Sequence, residues 1–553
     1  MLKVLIVGGV AGGATAAARL RRLDEQAEII LFERGEHISF ANCGLPYYIG
    51  SVIEERGELL LQTPESFHAR FNVDVRVFSE VTAIHPAEKT LEVKNLQSGG
   101  IYTESYDKLI LSPGASPILP ALPGVNLPGV FTLRNVADTD SIKQFIEKNH
   151  PKTAAVIGGG FIGVEMAENL KHAGLDVSIV EMSEQLIPPL DYEMACDVHS
   201  HLRRNDIHLY LNNGVKGIGK TQNGLAIQLD NGEIAADLLI MAIGVRTESG
   251  LAKSAGLKTN ERGGIIVNEH MCTSNEDIYA AGDAVEVFDF VTGQPGMIPL
   301  AGPANKQGHI AADNICGIPS RYKRTQGSAV LKAFDMTAAS TGINEKTAKR
   351  LGLNYDKVYL WLAGHAAYYP GSKSMSLKVV FEKDSGKILG AQIVGFDGVD
   401  KRADVLATAI RAGMTAYDLI DLELCYAPPF SSAKDPVNMA GYVIQNVLQG
   451  LVKNFHWHDV DKLPRDGSVT LLDVRTPGEV RAGKIAGFVN IPLDDLRTRM
   501  REFDKSKPVY VHCHSGLRSY IAARILMQNG YEVYNLSGGY RLYQAVMDNH
   551  AHV

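Results

Sequence analysis

At 553 residues the chain is too long for one hydrophobic core and predicts several domains. Its 45% hydrophobic and 21% charged content suits a soluble α/β protein, and a net charge of −7 supplies no basic stripe for nucleic acid. No apolar run approaches the ~20 residues that span a bilayer, and the six cysteines form no CxxC pair, which excludes a disulfide framework and the usual zinc patterns. The chain opens on a buried-strand pattern rather than a signal peptide. The cytoplasm is the expected compartment, and no metal is expected.

The first residues read as strand, glycine turn, helix and strand. Leu2–Val7 is apolar, Gly8 to Gly13 turn, Ala14–Arg22 suits a helix and Glu28–Phe32 a second strand. Gly8 and Gly13 fit a dinucleotide fingerprint whose middle glycine is replaced by Val10, and Glu33 closes the second strand. Cys43 follows in Ser39-Phe40-Ala41-Asn42-Cys43-Gly44-Leu45-Pro46. A helix opening at Gly44 predicts a lowered thiol pKa, against the alternative of a buried structural cysteine.

Pro117–Gly129 reads as a crossover to a second unit at 153–181, with strands Thr153–Ile157 and Val177–Val180 and a helix through Lys171. Here Gly158, Gly160 and Gly163 complete the fingerprint, and Glu181 stands where an acid should meet the adenosine ribose. Such an acid repels a 2′-phosphate and favours NADH; nearby arginines such as Arg246 leave NADPH open. Asp277–Asp283 is a further strand and turn whose Asp283 could hold the ribityl and phosphate region of a flavin. One flavin site and one nicotinamide site is the economical reading.

Alternating segments at 327–395 predict an antiparallel sheet, and helices follow to about Gly450. Lys453–His458 reads as a linker into a last α/β unit with strands Val469–Val474, Val509–His512 and Glu532–Leu536. Cys513 sits between the middle strand and a helix at Ser519–Leu526, in Cys-His-Ser-Gly-Leu-Arg. Successive N–H groups at such a turn form an anion nest for a thiolate or persulfide, with Arg518 closing the ring and Asp473 and Arg475 as partners. A phosphatase loop is the competitor, but it needs a longer turn around a tetrahedral phosphate. Cys196, Cys272, Cys316 and Cys425 read as packing residues, and His365, His456 and His458 as surface or packing residues without a ligand set.

In order and spacing these segments resemble the flavoprotein disulfide reductase superfamily. The Ser39–Pro46 segment and the N-terminal glycine turn are most similar to coenzyme A-disulfide reductases. The last 90 or so residues resemble a rhodanese domain, through Asp473-Val474-Arg475 and the Cys513 loop (an extent set by typical domain size). The combination is similar to fusions that include NADH-dependent persulfide reductases. It implies two Rossmann-like α/β dinucleotide-binding domains (FAD and NADH), an α+β dimerisation domain and a C-terminal α/β rhodanese domain. The expected limits are 1–115 and 276–325 for FAD, 116–150 for the crossover, 151–275 for NAD(P)H, 326–450 for dimerisation, 451–460 for the linker and 461–553 for rhodanese.

The resemblance also implies residue roles. Cys43 would be the single redox cysteine, resting as a mixed disulfide with coenzyme A, and Cys513 the sulfur carrier. Gly8, Gly13, Glu33, Arg34, Ser112, Gly114, Arg134 and Asp283 would contact FAD; Gly158, Gly160, Gly163, Glu181 and Gly244 would line the nicotinamide site. Tyr368 and Tyr426 match tyrosines brought from the partner subunit of a homodimer, and Arg22, Ser39, Asn42, Gln62 and Asn305 are placed at the coenzyme A site. Substrates would be small thiols, disulfides, persulfides or polysulfide, with no nucleic-acid or membrane partner. Two alternatives stand beside this one: an NADH oxidase or peroxidase, and a rhodanese domain that only binds or senses. Related oxidases and peroxidases keep a histidine in the first glycine turn where this chain has Ala11.

Overall fold

A computed structural model describes residues 1–222 and 224–551. The chain divides into two compact units, Met1–Met182 with Asn213–Gly327, and Ser183–Asn212 with Ser328 onward.

The first unit holds two parallel sheets. In one, the strands run in the order Ile278–Ala280, Lys108–Leu111, Lys3–Val7, Glu28–Phe32 and Asp74–Arg76. Val4, Leu5 and Ile6 are wholly buried, as expected of a strand covered on both faces. The second sheet includes Asp176–Val180, Thr153–Ile157, Leu238–Met241 and Val130–Phe131, all parallel. Each glycine turn leaves its sheet at the carboxyl end of a central strand, the position where open α/β sheets bind ligands. Two small antiparallel sheets, one within 79–105 and one of strands Val215–Thr221, Gly224–Leu229 and Glu233–Ala236, were not visible in the sequence pattern.

The second unit contains the expected antiparallel sheet, ordered Ala329–Ala333, Met336–Gly342, Ile388–Gly395, Ser374–Glu382 and Tyr355–Ala363. Helices Val399–Ala412 and Pro436–Leu448 accompany it. It also contains a five-stranded parallel sheet, Lys453–Phe455, Val533–Leu536, Val509–His512, Thr470–Asp473 and Val489–Asn490. The stretch expected to be a linker is therefore partly structural: Lys453–Phe455 pairs in register with Tyr534–Leu536 as an edge strand. Phe455 is the reason, since it buries its ring in the core beside Leu471 and Leu536. Helix Tyr192–Arg204, placed by sequence within the nicotinamide domain, belongs to this second unit, where Lys378 holds its first turn.

Among the described residues no helix is long and apolar enough to cross a membrane.

Candidate functional site

The first glycine turn is shaped by contacts that exclude side chains. Gly8 has φ +98°, and a Cβ on Gly13 would stand 1.8 Å from the Gly8 carbonyl oxygen. Glu33 is fixed by two backbone donors, the Gly9 N–H at 2.9 Å and the Gly35 N–H at 2.8 Å. Ser112, Gly282 and Asp283 arrive from neighbouring strand ends: a Cβ on Gly12 would lie 2.6 Å from Ser112 Oγ, and one on Gly282 3.4 Å from it. Burial pushes the Asp283 carboxyl up, partly offset by Arg134. Arg134 donates to the Pro113 carbonyl at 3.3 Å and bonds Ser116 Oγ, while Glu248 accepts from Arg134 at 3.4 Å and from Arg34 at 3.5 Å. Gly114, at φ +72°, turns the chain between them.

The second turn repeats the device. Glu181 accepts the Gly159 N–H at 2.7 Å. A Cβ on Gly163 would stand 2.0 Å from the Gly158 carbonyl, whereas one on Gly160 would meet nothing within 4 Å. The helix therefore packs hard against the turn, and the ground in front of Gly160 is open to a pyrophosphate. Gly244, at φ +118°, lies just beyond the neighbouring strand Leu238–Met241. Both turns fit dinucleotides.

Cys43 lies in the short 3-10 turn Asn42–Gly44 and is exposed. The Ser39 N–H donates to the Gly9 carbonyl at 2.8 Å, which ties this loop to the first glycine turn. The helix that follows, Leu45–Ile49, is only five residues long. It packs on helix Phe161–His172 of the second turn: a Cβ on Gly50 would fall 2.4 Å from Asn169 Oδ1, and Tyr47 donates its hydroxyl to Glu165 at 3.3 Å. Cys43 thus stands between the two dinucleotide turns.

The expectation of a lowered Cys43 pKa is corrected. Desolvation pushes the thiol up, and the carboxylates of Glu165 and Asp283 push it further. So short a helix has too little dipole to reverse this. Glu165 is itself raised to about 7 by burial and by Glu168, against the Tyr47 hydrogen bond. Sequence reasoning missed both Tyr47 and Glu165, whose pairing spans 118 residues.

The residues assigned to coenzyme A are spread over this unit. Ser39 and Asn42 flank Cys43, with Ser39 at φ +47°. Gln62 accepts Ser66 Oγ at 3.1 Å, Asn305 accepts Thr15 Oγ1 at 2.7 Å, and Arg22 is exposed on helix Ala11–Leu23.

In the second unit the Tyr368 and Tyr426 hydroxyls are 3.0 Å apart, though 58 residues separate them. Tyr368 is 76% exposed and Tyr426 48%. Their hydrogen bond raises the Tyr368 phenol above its ordinary value. Arg402 ties their loops together, donating to the Gly364 carbonyl at 2.9 Å, Ser431 Oγ at 3.0 Å and Asp435 at 2.9 Å. Cys425, expected to pack, is exposed, since it lies in the extended stretch between helices Ala416–Asp421 and Pro436–Leu448. Cys196 is buried as expected.

Cys513 begins the turn after Val509–His512 and is 1% exposed. Its sulfur accepts the Gly516 N–H at 3.1 Å and Ser519 Oγ at 3.3 Å. The charge of Arg518 bears on Cys513, but its hydrogen bonds go to a carboxylate. The guanidinium makes a two-pronged pair with Glu479, at 2.7 and 2.6 Å, because Glu479 is already anchored by Thr476. The Thr476-x-x-Glu479 capping box was legible in the sequence; its second contact was not. Asp473 and Arg475 form a buried pair at 2.7 Å behind the loop.

A group of three carboxylates, Asp191, Glu193 and Glu345, has the geometry of a cation site. Its cation is Lys378, fully buried, with Nζ 2.8, 2.5 and 2.7 Å from the three.

This arrangement, two dinucleotide turns around a solitary thiol, defines an oxidoreductase that couples pyridine nucleotide to a sulfur centre. The chain belongs to the pyridine nucleotide-disulphide oxidoreductase family, whose model matches residues 2–308; the family's dimerisation domain matches 328–436 and a rhodanese-like domain 456–546. The coenzyme A disulfide reductase of Staphylococcus epidermidis is 39% identical over 448 residues, 80% of this chain and all of that protein. Reduced Bacillus anthracis CoADR-RHD superposes with a TM-score of 0.97 at 54% identity, covering 99% of this chain and 98% of that one. An NAD-dependent persulfide reductase from A. fulgidus gives 0.92 at 38% identity, covering 98% and 100%.

Proposed function

We propose that the chain is an FAD-dependent NADH oxidoreductase that reduces coenzyme A disulfide, coenzyme A persulfide or polysulfide through Cys43, with sulfur carried on Cys513. The observation that carries this reading is that all six cysteines are free and Cys43 is exposed between the two dinucleotide turns. Its disulfide partner must therefore come from outside the chain, which fits a mixed disulfide with coenzyme A. The kinship with coenzyme A disulfide and persulfide reductases supports the same substrates.

Gly8, Gly13, Glu33, Arg34, Ser112, Gly114, Arg134 and Asp283 would hold FAD; Gly158, Gly160, Gly163, Glu181 and Gly244 would hold NADH, and the flavin supplies two-electron transfer to a disulfide. The rest falls to the chain's own groups. The freed Cys43 thiolate attacks the coenzyme A sulfur of the substrate, forming one S–S bond while the old one breaks. Hydrosulfide or a thiolate leaves with the electron pair. Glu165, raised to about 7, can hold a proton near Cys43 so that its own charge does not oppose the thiolate. Tyr368 and Tyr426 would hydrogen-bond the departing sulfur; an acid well placed for that is worth ~10²–10⁴-fold.

The dimerisation domain supports a homodimer in which each subunit's tyrosines serve its partner's Cys43, and the cytoplasm is the compartment this chemistry suits. The first-turn position that related oxidases and peroxidases fill with histidine is Ala11, which leaves an oxidase without that acid–base group.

Mass spectrometry of untreated protein should find a coenzyme A adduct on Cys43. Cys43→Ser should keep flavin reduction by NADH and lose persulfide turnover; full turnover in that variant would refute the assignment.

A further inference from the structure

Three guanidinium groups bear electrostatically on the His514 side chain of the Cys513 loop: Arg518, Arg541 and Arg475. Each is matched by a carboxylate. Arg475 lies on Asp473 at 2.7 Å, Arg518 grips Glu479 with both terminal nitrogens, and Arg541 donates to Asp197 at 2.8 Å and Ser376 Oγ at 2.9 Å. Burial pushes the His514 imidazole below its ordinary value and the three arginines push it further, against Glu479. The two donors to the Cys513 sulfur, the Gly516 N–H and the Ser519 hydroxyl, are both neutral. The nest therefore offers two hydrogen bonds to one sulfur-sized anion, and each nearby arginine already has a carboxylate partner that offsets its charge.

The rim points the same way. Leu517 is 62% exposed, and Ile521, one turn further along the same helix face, is 37% exposed. These residues give the loop an apolar lip that suits an organic arm better than a sulfonate. Glu479 is also tied to its own helix cap: its carboxylate accepts the Thr476 N–H at 2.9 Å, a backbone bond independent of the Thr476 side chain, and Thr476 Oγ1 at 2.8 Å.

We propose that Glu479 is a specificity-determining positioning residue, which neutralises Arg518 so that Cys513 takes sulfur from organic thiol persulfides and discriminates against thiosulfate. This rests on the reading of Cys513 as a sulfur carrier. With a persulfide R–S–S⁻, the Cys513 thiolate attacks the terminal sulfur, that sulfur's bond to R–S breaks, and R–S⁻ leaves with the electron pair. The product is Cys513–S–S⁻, with no net oxidation and no change in proton count. With thiosulfate the same step expels sulfite, a dianion whose oxygens need donors. Arg518 stands at the end of the loop, but both its terminal nitrogens are engaged by Glu479.

The test uses the full-length holoprotein with cyanide as sulfur acceptor, and glutathione persulfide or thiosulfate as donor. Wild type should prefer the persulfide in kcat/KM. Glu479→Gln should lower KM for thiosulfate ~10-fold, the scale of one charge-assisted hydrogen bond regained, with a much smaller change in kcat. The ratio of thiosulfate to persulfide kcat/KM should rise accordingly. Thr476→Ala removes the cap but keeps the Arg518–Glu479 pair, and should leave that ratio near wild type. An unchanged thiosulfate KM in Glu479→Gln, equal gains for both donors, or the same gain in Thr476→Ala would each overturn the proposal. If wild-type Cys513 gains no sulfur by mass from either donor, the carrier reading itself fails, a result distinct from lost discrimination.

Discussion

Replacing Arg402 by methionine tests whether one buried cation sets the register of the two exposed tyrosines. Arg402 is 1% exposed and Asp435 2%. Its guanidinium also donates to the Gly398 carbonyl at 3.1 Å. Methionine fills similar space but leaves Asp435 charged and buried, and strips a donor from Gly364 O and Ser431 Oγ. Breaking a buried pair by removing one partner costs about 3–5 kcal/mol. Asp435 keeps its helix cap on the Val437 N–H, at 3.0 Å, so the damage should concentrate in the two loops. Because a chain of several domains does not unfold in one step, hydrogen exchange of 364–371 and 425–435 is the appropriate readout. Protection there should fall by about two orders of magnitude or more, at 1.4 kcal/mol per tenfold. Arg402→Met with Asp435→Asn should cost less than the sum of the single changes, by about 1–3 kcal/mol. Disulfide turnover should drop as the 3.0 Å hydroxyl contact is lost, while flavin reduction by NADH holds. Unchanged protection together with turnover within about twofold of wild type would refute the reasoning.

Two further outcomes follow from the electrostatics. Lys378→Met should be strongly destabilising at neutral pH, because Asp191, Glu193 and Glu345 lose their shared cation. In wild type the lysine holds Asp191 and Glu345 below their ordinary values, so that stability is present above the carboxylate range and lost as pH falls through it. The variant's acids are held up by burial instead, so the gap in melting temperature should narrow on acidification; a constant gap would show that the lysine does not act through charge. Glu165→Gln should lower the Cys43 thiol pKa, read as thiolate alkylation rate against pH. Because the Glu165 pKa is raised in the fold, wild-type stability should fall as pH rises from 4.5 to about 7, a slope the glutamine variant should lack. An identical Cys43 alkylation profile in both proteins would remove Glu165 from the site.

The local parts of this architecture were legible because they obey short-range rules. Strands Lys3–Val7 and Thr153–Ile157 fall where apolar runs end in glycine turns, and Glu28–Phe32 and Val509–His512 fall on apolar runs of strand length. The second fingerprint reads directly from Gly158, Gly160, Gly163 and Glu181: the packed helix leaves no room for a Cβ at Gly158 or Gly163, Gly160 faces open ground, and Glu181 accepts the Gly159 N–H. The loss at Val10 did not destroy the first site, because Gly12 and Gly13 still make the close approaches. Lys453–Phe455 misled because three residues of polar and aromatic character carry no strand period of their own; the neighbouring strand Val533–Leu536 recruits them.

Chain order alone therefore determined the classes of domain and the two glycine turns, and singled out Cys43 and Cys513 as the proposed sulfur sites, all of which depend on neighbours within a few positions. The tertiary structure decided which charges meet. It placed Glu165 beside Cys43, paired Arg518 with Glu479, and locked two tyrosine loops to Arg402. Such pairings join residues tens to hundreds of positions apart, and their strength depends on burial, a property of the packed fold that no segment carries by itself.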